Sequence, residues 1–321
     1  MRPDFRPIPN SANLFRQRVR NPRSAADSSV LAVDEEPAWL YVSDHSARTS
    51  IEVLDPKTFA TVASLDLDPR LIGGMAFSPS GERLYATLWS SASATPRLPA
   101  QIAIVDTTAN RILERITLGA DTLPSKPVIS TDGKLLYFAD RLEGLVVVDL
   151  ESRTVIERIP AARAGGVNNQ FTSLGISPDG GLICLTDSAG VGILDTRTRT
   201  FVARINISLP NREIVPVFNA TGTQFYLIER RSVPGGLAVS LVGFDTSEVR
   251  ETSRTALPST FDPHELVMTP DGLSLAIDGF LRAPNQPVKV GFIVVDATRN
   301  VVVSINDAVQ PLVGALGVMR R

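Results

Sequence analysis

The chain has 321 residues, 43% hydrophobic and 21% charged, enough apolar content for a sizeable core and not the composition of a disordered polyelectrolyte. Thirty-two Lys+Arg against 34 Asp+Glu leave a net charge of −2, which excludes a global field that would draw nucleic acid or an anionic membrane. Twenty-two Gly and 23 Pro point to many turns rather than long helices. Residues 1–29 show no repeat and are expected to form an N-terminal extension, in which residues 14–20 could supply one edge strand. Met1-Arg2-Pro3-Asp4-Phe5-Arg6-Pro7 has no apolar h-region, so no signal peptide is expected there. Arg16, Arg18, Arg20 and Arg23 lack interleaved aromatic side chains and read as a solvated basic tail rather than a nucleic-acid contact.

From residue 30 to 321 the chain is expected to form a single domain built on an internal repeat. A Pro/Asp/Gly turn recurs at Ser78-Pro79-Ser80-Gly81, Ser130-Thr131-Asp132-Gly133, Ser177-Pro178-Asp179-Gly180, Asn219-Ala220-Thr221-Gly222 and Thr269-Pro270-Asp271-Gly272, with Asp34-Glu35-Glu36-Pro37 as a degenerate first copy. The turn glycines step by 52, 47, 42 and 50 residues. Such turns suit hairpins: Pro presets φ, Asp accepts a local backbone bond, and Gly takes a positive φ. A second landmark keeps the same period. Apolar strands end in Asp55, Asp106, Asp149, Asp195, Asp245 and Asp296, stepping by 51, 43, 46, 50 and 51. Each unit therefore predicts a four-stranded antiparallel sheet of propeller-blade size, apolar on both faces and covered by its neighbours in a ring.

The second strands Tyr41-Val42-Ser43-Asp44, Tyr137-Phe138-Ala139-Asp140 and Cys184-Leu185-Thr186-Asp187, with third strands such as Leu145-Val146-Val147-Val148-Asp149, resemble the YVTN-type β-propeller repeat over roughly residues 30–307. The resemblance implies an all-β propeller and leaves function open, since such repeats serve binding, surface-layer and enzyme roles. It also makes export an expectation, with the compartment otherwise unassigned. Six full repeats are visible, and residues 312–318 read as the first strand of a seventh, so a seven-bladed ring is preferred over a six-bladed one. A monomer is expected.

Odd and even connections of such a blade emerge at opposite ends, and the longest ones, residues 90–100, 161–170, 230–236 and 279–289, share the channel-mouth end. Candidate ligand contacts there are His45, Trp89, Asn169 and Gln170. Asp140, Asp187 and Glu229 each follow their turn glycine by seven residues, Asp44 takes the equivalent place and Leu88 breaks the set. Convergent carboxylates at Asp44, Asp140 and Asp187 would suit Ca²⁺; the competing expectation is that each caps its own turn. The Asp residues ending the third strands are expected to make Asx-turns. Phe261-Asp262-Pro263-His264-Glu265-Leu266 is similar to an approach segment of lactonase-type propellers, which include phosphogluconolactonase and muconate-cyclising enzymes. That resemblance implies His264 as acid/base with Glu229 and Arg230 or Arg231 as partners. This sequence departs from it in having Asp262-Pro263 before the histidine and no following Glu in Ala276-Ile277-Asp278-Gly279.

Cys184 lies in an apolar run, cannot form an intramolecular disulfide and is expected to be buried. With only His45 and His264, zinc sites using two or more His are nearly excluded, and no nucleotide-binding glycine motif or G-x-S-x-G elbow occurs. No 18-residue apolar stretch suggests a membrane span. The leading expectation is a non-catalytic propeller that binds a protein or small ligand through the channel-mouth loops, with no cofactor unless Ca²⁺. The alternative is a lactonase-like hydrolase or isomerase using His264. A propeller subunit of a quinoprotein amine dehydrogenase is compatible by fold only.

Overall fold

The computed structural model describes residues 39–319 apart from 44–48, 56–57, 59, 68, 92–95, 120, 165–169, 210–214, 235, 270–271, 283–288 and 307–317. Six four-stranded antiparallel sheets make up the described chain. Blade 2 comprises Leu71–Phe77, Arg83–Trp89, Ala100–Asp106 and Arg111–Gly119, from the innermost strand outwards. Blade 3 comprises Val128–Ile129, Leu135–Asp140, Gly144–Asp149 and Thr154–Ile159. Blade 4 follows with Ser173–Ile176, Leu182–Asp187, Gly190–Asp195 and Thr200–Asn206. Blade 5 has Val217–Phe218, Gln224–Val233, Gly236–Asp245 and Glu251–Leu257. Blade 6 has Phe261–Met268, Ser274–Leu281, Lys289–Asp296 and Val301–Asn306.

Blade 1 is assembled from both ends of the described chain. Leu40–Ser43, Ser50–Leu54 and Thr61–Asp66 take their innermost strand from Val318–Met319, which pairs Leu40 with Met319 and Tyr41 with Val318. The seven-bladed expectation is thereby corrected to six. Val318, the last residue of the stretch read as a seventh blade, lies in the strand that the first blade lacks, while residues 312–317 lie outside the described residues. The expected strand at residues 14–20 lies outside the described residues.

The repeat landmarks behave as local physics requires. Gly81, Gly133, Gly180, Gly222 and Gly272 have φ between 69° and 75°, and each donates its N–H to the carbonyl three residues earlier. The third-strand aspartates accept backbone N–H groups two or three residues on, as in Thr198 N to Asp195 Oδ1 at 2.7 Å and Ser152 N to Asp149 Oδ1 at 2.7 Å. These bonds hold the Asp149 and Asp195 carboxyls below the usual carboxylate range.

Side chains alternate between the two neighbouring blades. Val146 and Val148 pack in the core shared by blades 2 and 3, whereas Leu145 and Val147 pack in the core shared by blades 3 and 4. Five such cores fill the five seams from blade 1 to blade 6. Cys184 is fully buried in one of them, and burial pushes its thiol pKa up. The innermost strands touch in succession from Val318–Met319 through each blade to Phe261–Met268. Glycines permit that approach: a Cβ on Gly175 would stand 2.0 Å from the Pro216 carbonyl oxygen, and one on Gly74 would stand 2.4 Å from the Lys126 Cα. Among the described residues no helix is long and apolar enough to cross a membrane.

Candidate functional site

The innermost strand of blade 6 carries the densest chemistry at the channel mouth. Pairing between Phe261–Met268 and Ser274–Leu281 shifts after Pro263, leaving His264 as the extra residue of a bulge. Its ring meets Phe280 edge-on, with centroids 4.9 Å apart, and the Arg282 guanidinium lies 5.8 Å from the same Phe280 ring. Asp262 accepts from Arg230 through Oδ1 and from Arg282 Nη2 through Oδ2, the latter at 3.3 Å. Arg230 Nε is buried and has no hydrogen-bond partner among the described residues.

One turn deeper, the channel is bridged. Lys126, just ahead of the innermost strand of blade 3, reaches Glu265 of blade 6 with Nζ to Oε1 at 2.7 Å. Blades 3 and 6 stand opposite each other in a six-membered ring, so this ion pair spans the axis. Behind it, Asp278 Oδ1 accepts the Glu265 N–H at 2.6 Å. Burial, and then the Glu265 charge, push the Asp278 carboxyl up to about 6, against the backbone bond and Lys126. The folded state therefore holds a proton that the unfolded chain, with its ordinary value of 3.8, releases. Stability from this group is full below pH 3.8 and is lost as pH rises through 6, a swing of about 3 kcal/mol at 1.36 kcal/mol per unit. Asp278→Asn keeps the acceptor without the charge. Urea titrations should find it as stable as wild type at pH 4 and more stable, by up to about 3 kcal/mol, at pH 8.

Glu229 and Arg230 are chain neighbours and so face opposite sides of their strand. Tyr226 and Ile228 pack towards blade 6, Phe225 and Leu227 towards blade 4. Arg230 accordingly turns to Asp262, whereas the buried Glu229 accepts from Arg254 on its own outer strand. Strand geometry brings Arg230 to the side of His264 and turns Glu229 away.

The remaining acids are engaged in the same manner as Glu229. The buried Asp187 receives Arg204 Nη2 at 2.9 Å on both oxygens and the Ala189 N–H at 2.8 Å. Asp140 accepts the N–H groups of Leu123 and Leu142, and Arg158 Nη1 lies 3.6 Å from its Oδ2. Burial raises the Asp140 pKa despite those donors. A guanidinium beside each carboxylate opposes a divalent cation, and among the described residues no group of three or more His, Cys, Asp or Glu is placed to hold a metal. Asp44, His45 and Asn169 lie outside the described residues. Trp89 is half-buried against the core between blades 2 and 3, and Gln170 is exposed.

Sequence reasoning overlooked Lys126, Asp262, Glu265, Asp278 and Arg282. Glu265 and Asp278 both lay in segments singled out for His264, and for Glu265 a charged residue on an innermost strand was the available signal. At the opposite end a cleft of about 250 Å³ opens beside Tyr226, Ser253 and Asn300, with a neutral lining of amides and hydroxyls.

In fold the chain is similar to a solved structure of hydrazine synthase from Kuenenia stuttgartiensis, with a TM-score of 0.57 and 17% identity. The superposition covers 70% of this chain and 63% of that one, so the chain spans less than two-thirds of that protein's length. Identity at this level shows the fold alone. No protein-family model matches the chain, and no curated protein matches it.

Proposed function

We propose that the chain is a binding module that seats a protein or small ligand at the channel mouth, against His264, Arg230 and Arg282. One observation carries this reading: the candidate reactive groups are held by three different partners, His264 by Phe280, Glu229 by Arg254 and Arg230 by Asp262, rather than by one another. A nucleophile or acid/base pair needs mutual hydrogen-bond reach. A docking surface needs rigid, oriented groups, and Asp262 holds the Arg230 and Arg282 guanidiniums in place beside His264. The Lys126–Glu265 bridge gives that surface a floor. A metabolite and peptide panel read by thermal shift should yield ligands whose effect is lost in His264→Ala and Arg282→Ala and kept in Thr198→Ala at the opposite end. Ligands that respond only to the Thr198 variant would overturn the placement.

The lactonase-like reading is supported by Asp278, whose carboxyl at about 6 is a general acid near neutrality. A lactone panel with and without Ca²⁺ tests it. Turnover abolished in His264→Ala or Asp278→Asn would favour hydrolysis over binding alone, and no turnover by wild type would remove it.

A further inference from the structure

An acid on the second strand and an arginine on the outer strand form a pair repeated in blades 3, 4 and 5, and blade 2 keeps only the arginine. Asp140, Asp187 and Glu229 lie across from Arg158, Arg204 and Arg254. The register is constant. The acid faces Gly144, Gly190 or Ser240 on the third strand, and the arginine faces the residue two further on, Val146, Gly192 or Val242. In blade 2 the same register sets Leu88 opposite Gln101 and Arg115 opposite Ala103. Leu88 is fully buried in the core between blades 1 and 2, so the guanidinium remains and its carboxylate does not.

Arg115 Nη1 reaches only Gln101 Oε1 at 3.5 Å, the outer limit of a hydrogen bond. Arg70 shares the corner: its Nε donates to the carbonyl of Pro99, two residues from Gln101, at 3.1 Å. Burial, and then the Arg115 charge, hold the Arg70 pKa down. Among the described residues no carboxylate pairs with either guanidinium. Two half-buried guanidiniums anchored two residues apart, at Pro99 and Gln101, carry like charge, and an anion bound by both offsets that cost. The forked donors of arginine match a planar carboxylate.

We propose that Arg70 and Arg115, with Gln101 as a neutral donor, form a binding site for a carboxylate supplied from outside the chain, which would meet the guanidinium that Asp140, Asp187 and Glu229 neutralise from within the next three blades. The site joins the approach to the innermost strand of blade 2 with its third and outer strands, and it does not depend on the channel-mouth reading. The ¹⁵N signals of the two Nε–Hε groups, assigned through Arg70→Lys and Arg115→Lys, report it directly. Titration with acetate at constant ionic strength should shift both signals saturably, while chloride should leave them unmoved. A blocked Gly-Asp-Gly peptide binding more tightly than acetate would identify an acidic side chain as the source, and the reverse order a free acid. Gln101→Glu places a carboxylate of the chain beside Arg115 and should weaken acetate binding at least tenfold without lowering Tm. Shifts that rise linearly for acetate and chloride alike, saturation by phosphate but not acetate, or undiminished binding in a folded Gln101→Glu would each overturn the proposal.

Discussion

Arg204→Ala is expected to lower the unfolding free energy by about 3–5 kcal/mol, the cost of leaving one buried partner of an ion pair uncompensated. Asp187 is the partner, with its side chain 1% exposed and Arg204 15% exposed. No nearby side chain replaces the guanidinium: the Ala189 N–H is the other donor on that carboxylate. Asp187 is itself almost fully buried, so its charge loses its counter-ion in a poorly solvated position, which favours protonation or unfolding. Urea denaturation at pH 7 measures the loss. The double variant Arg204→Met/Asp187→Asn should recover much of it, because removing both charges removes the desolvation penalty along with the pair. An additive double variant would mean that Arg204 contributes by packing alone. Arg158→Ala should cost less, since Arg158 is 32% exposed and stands 3.6 Å from Asp140.

Gly175→Ala is expected to cost about 3 kcal/mol or more, at the upper end of what overpacking does. Its Cβ would stand 2.0 Å from the Pro216 carbonyl oxygen and 3.0 Å from the Pro216 carbonyl carbon. Both belong to the backbone leading into the innermost strand of blade 5, so no side chain can swing aside. Relief requires two innermost strands to separate, which opens the seam. Gly181→Ala is the control: its nearest neighbour is a side-chain oxygen of Asp179 at 3.2 Å rather than backbone, and it should change the urea midpoint little. Equal effects of the two would show that the innermost strands are not packed as described.

What was legible in the sequence was the local and the periodic. Gly133 and Asp149 mark a hairpin and an Asx-turn through bonds made within a few residues, so their chemistry survives translation into a string of letters. The double-sided apolar strands were legible for the same reason, because alternation along Gly144–Asp149 needs no knowledge of what covers each face. The number of blades was not. A strand read one repeat after the sixth copy looks identical whether it founds a seventh sheet or completes the first, and only the pairing of Tyr41 with Val318 decides. The candidate site was partly legible. That Glu229 and Arg230 point to opposite faces follows from strand geometry. That Arg230 meets Asp262, and that Lys126 crosses the channel to Glu265, depends on which blades are adjacent and which are opposed.

Ring closure by residues 318–319 fixes the blade count and therefore which blades oppose one another across the channel. The double variant Leu40→Cys/Met319→Cys tests it most directly. Paired residues of antiparallel strands lie about 4.5–5.5 Å apart between Cα atoms, within the range a disulfide spans. Cys184 is buried and does not compete. On mild oxidation the variant should form an intramolecular disulfide, seen as loss of two titratable thiols in a monomer, and its Tm should rise. Thiols that stay free, or that link separate molecules while the protein remains folded, would contradict the six-bladed ring.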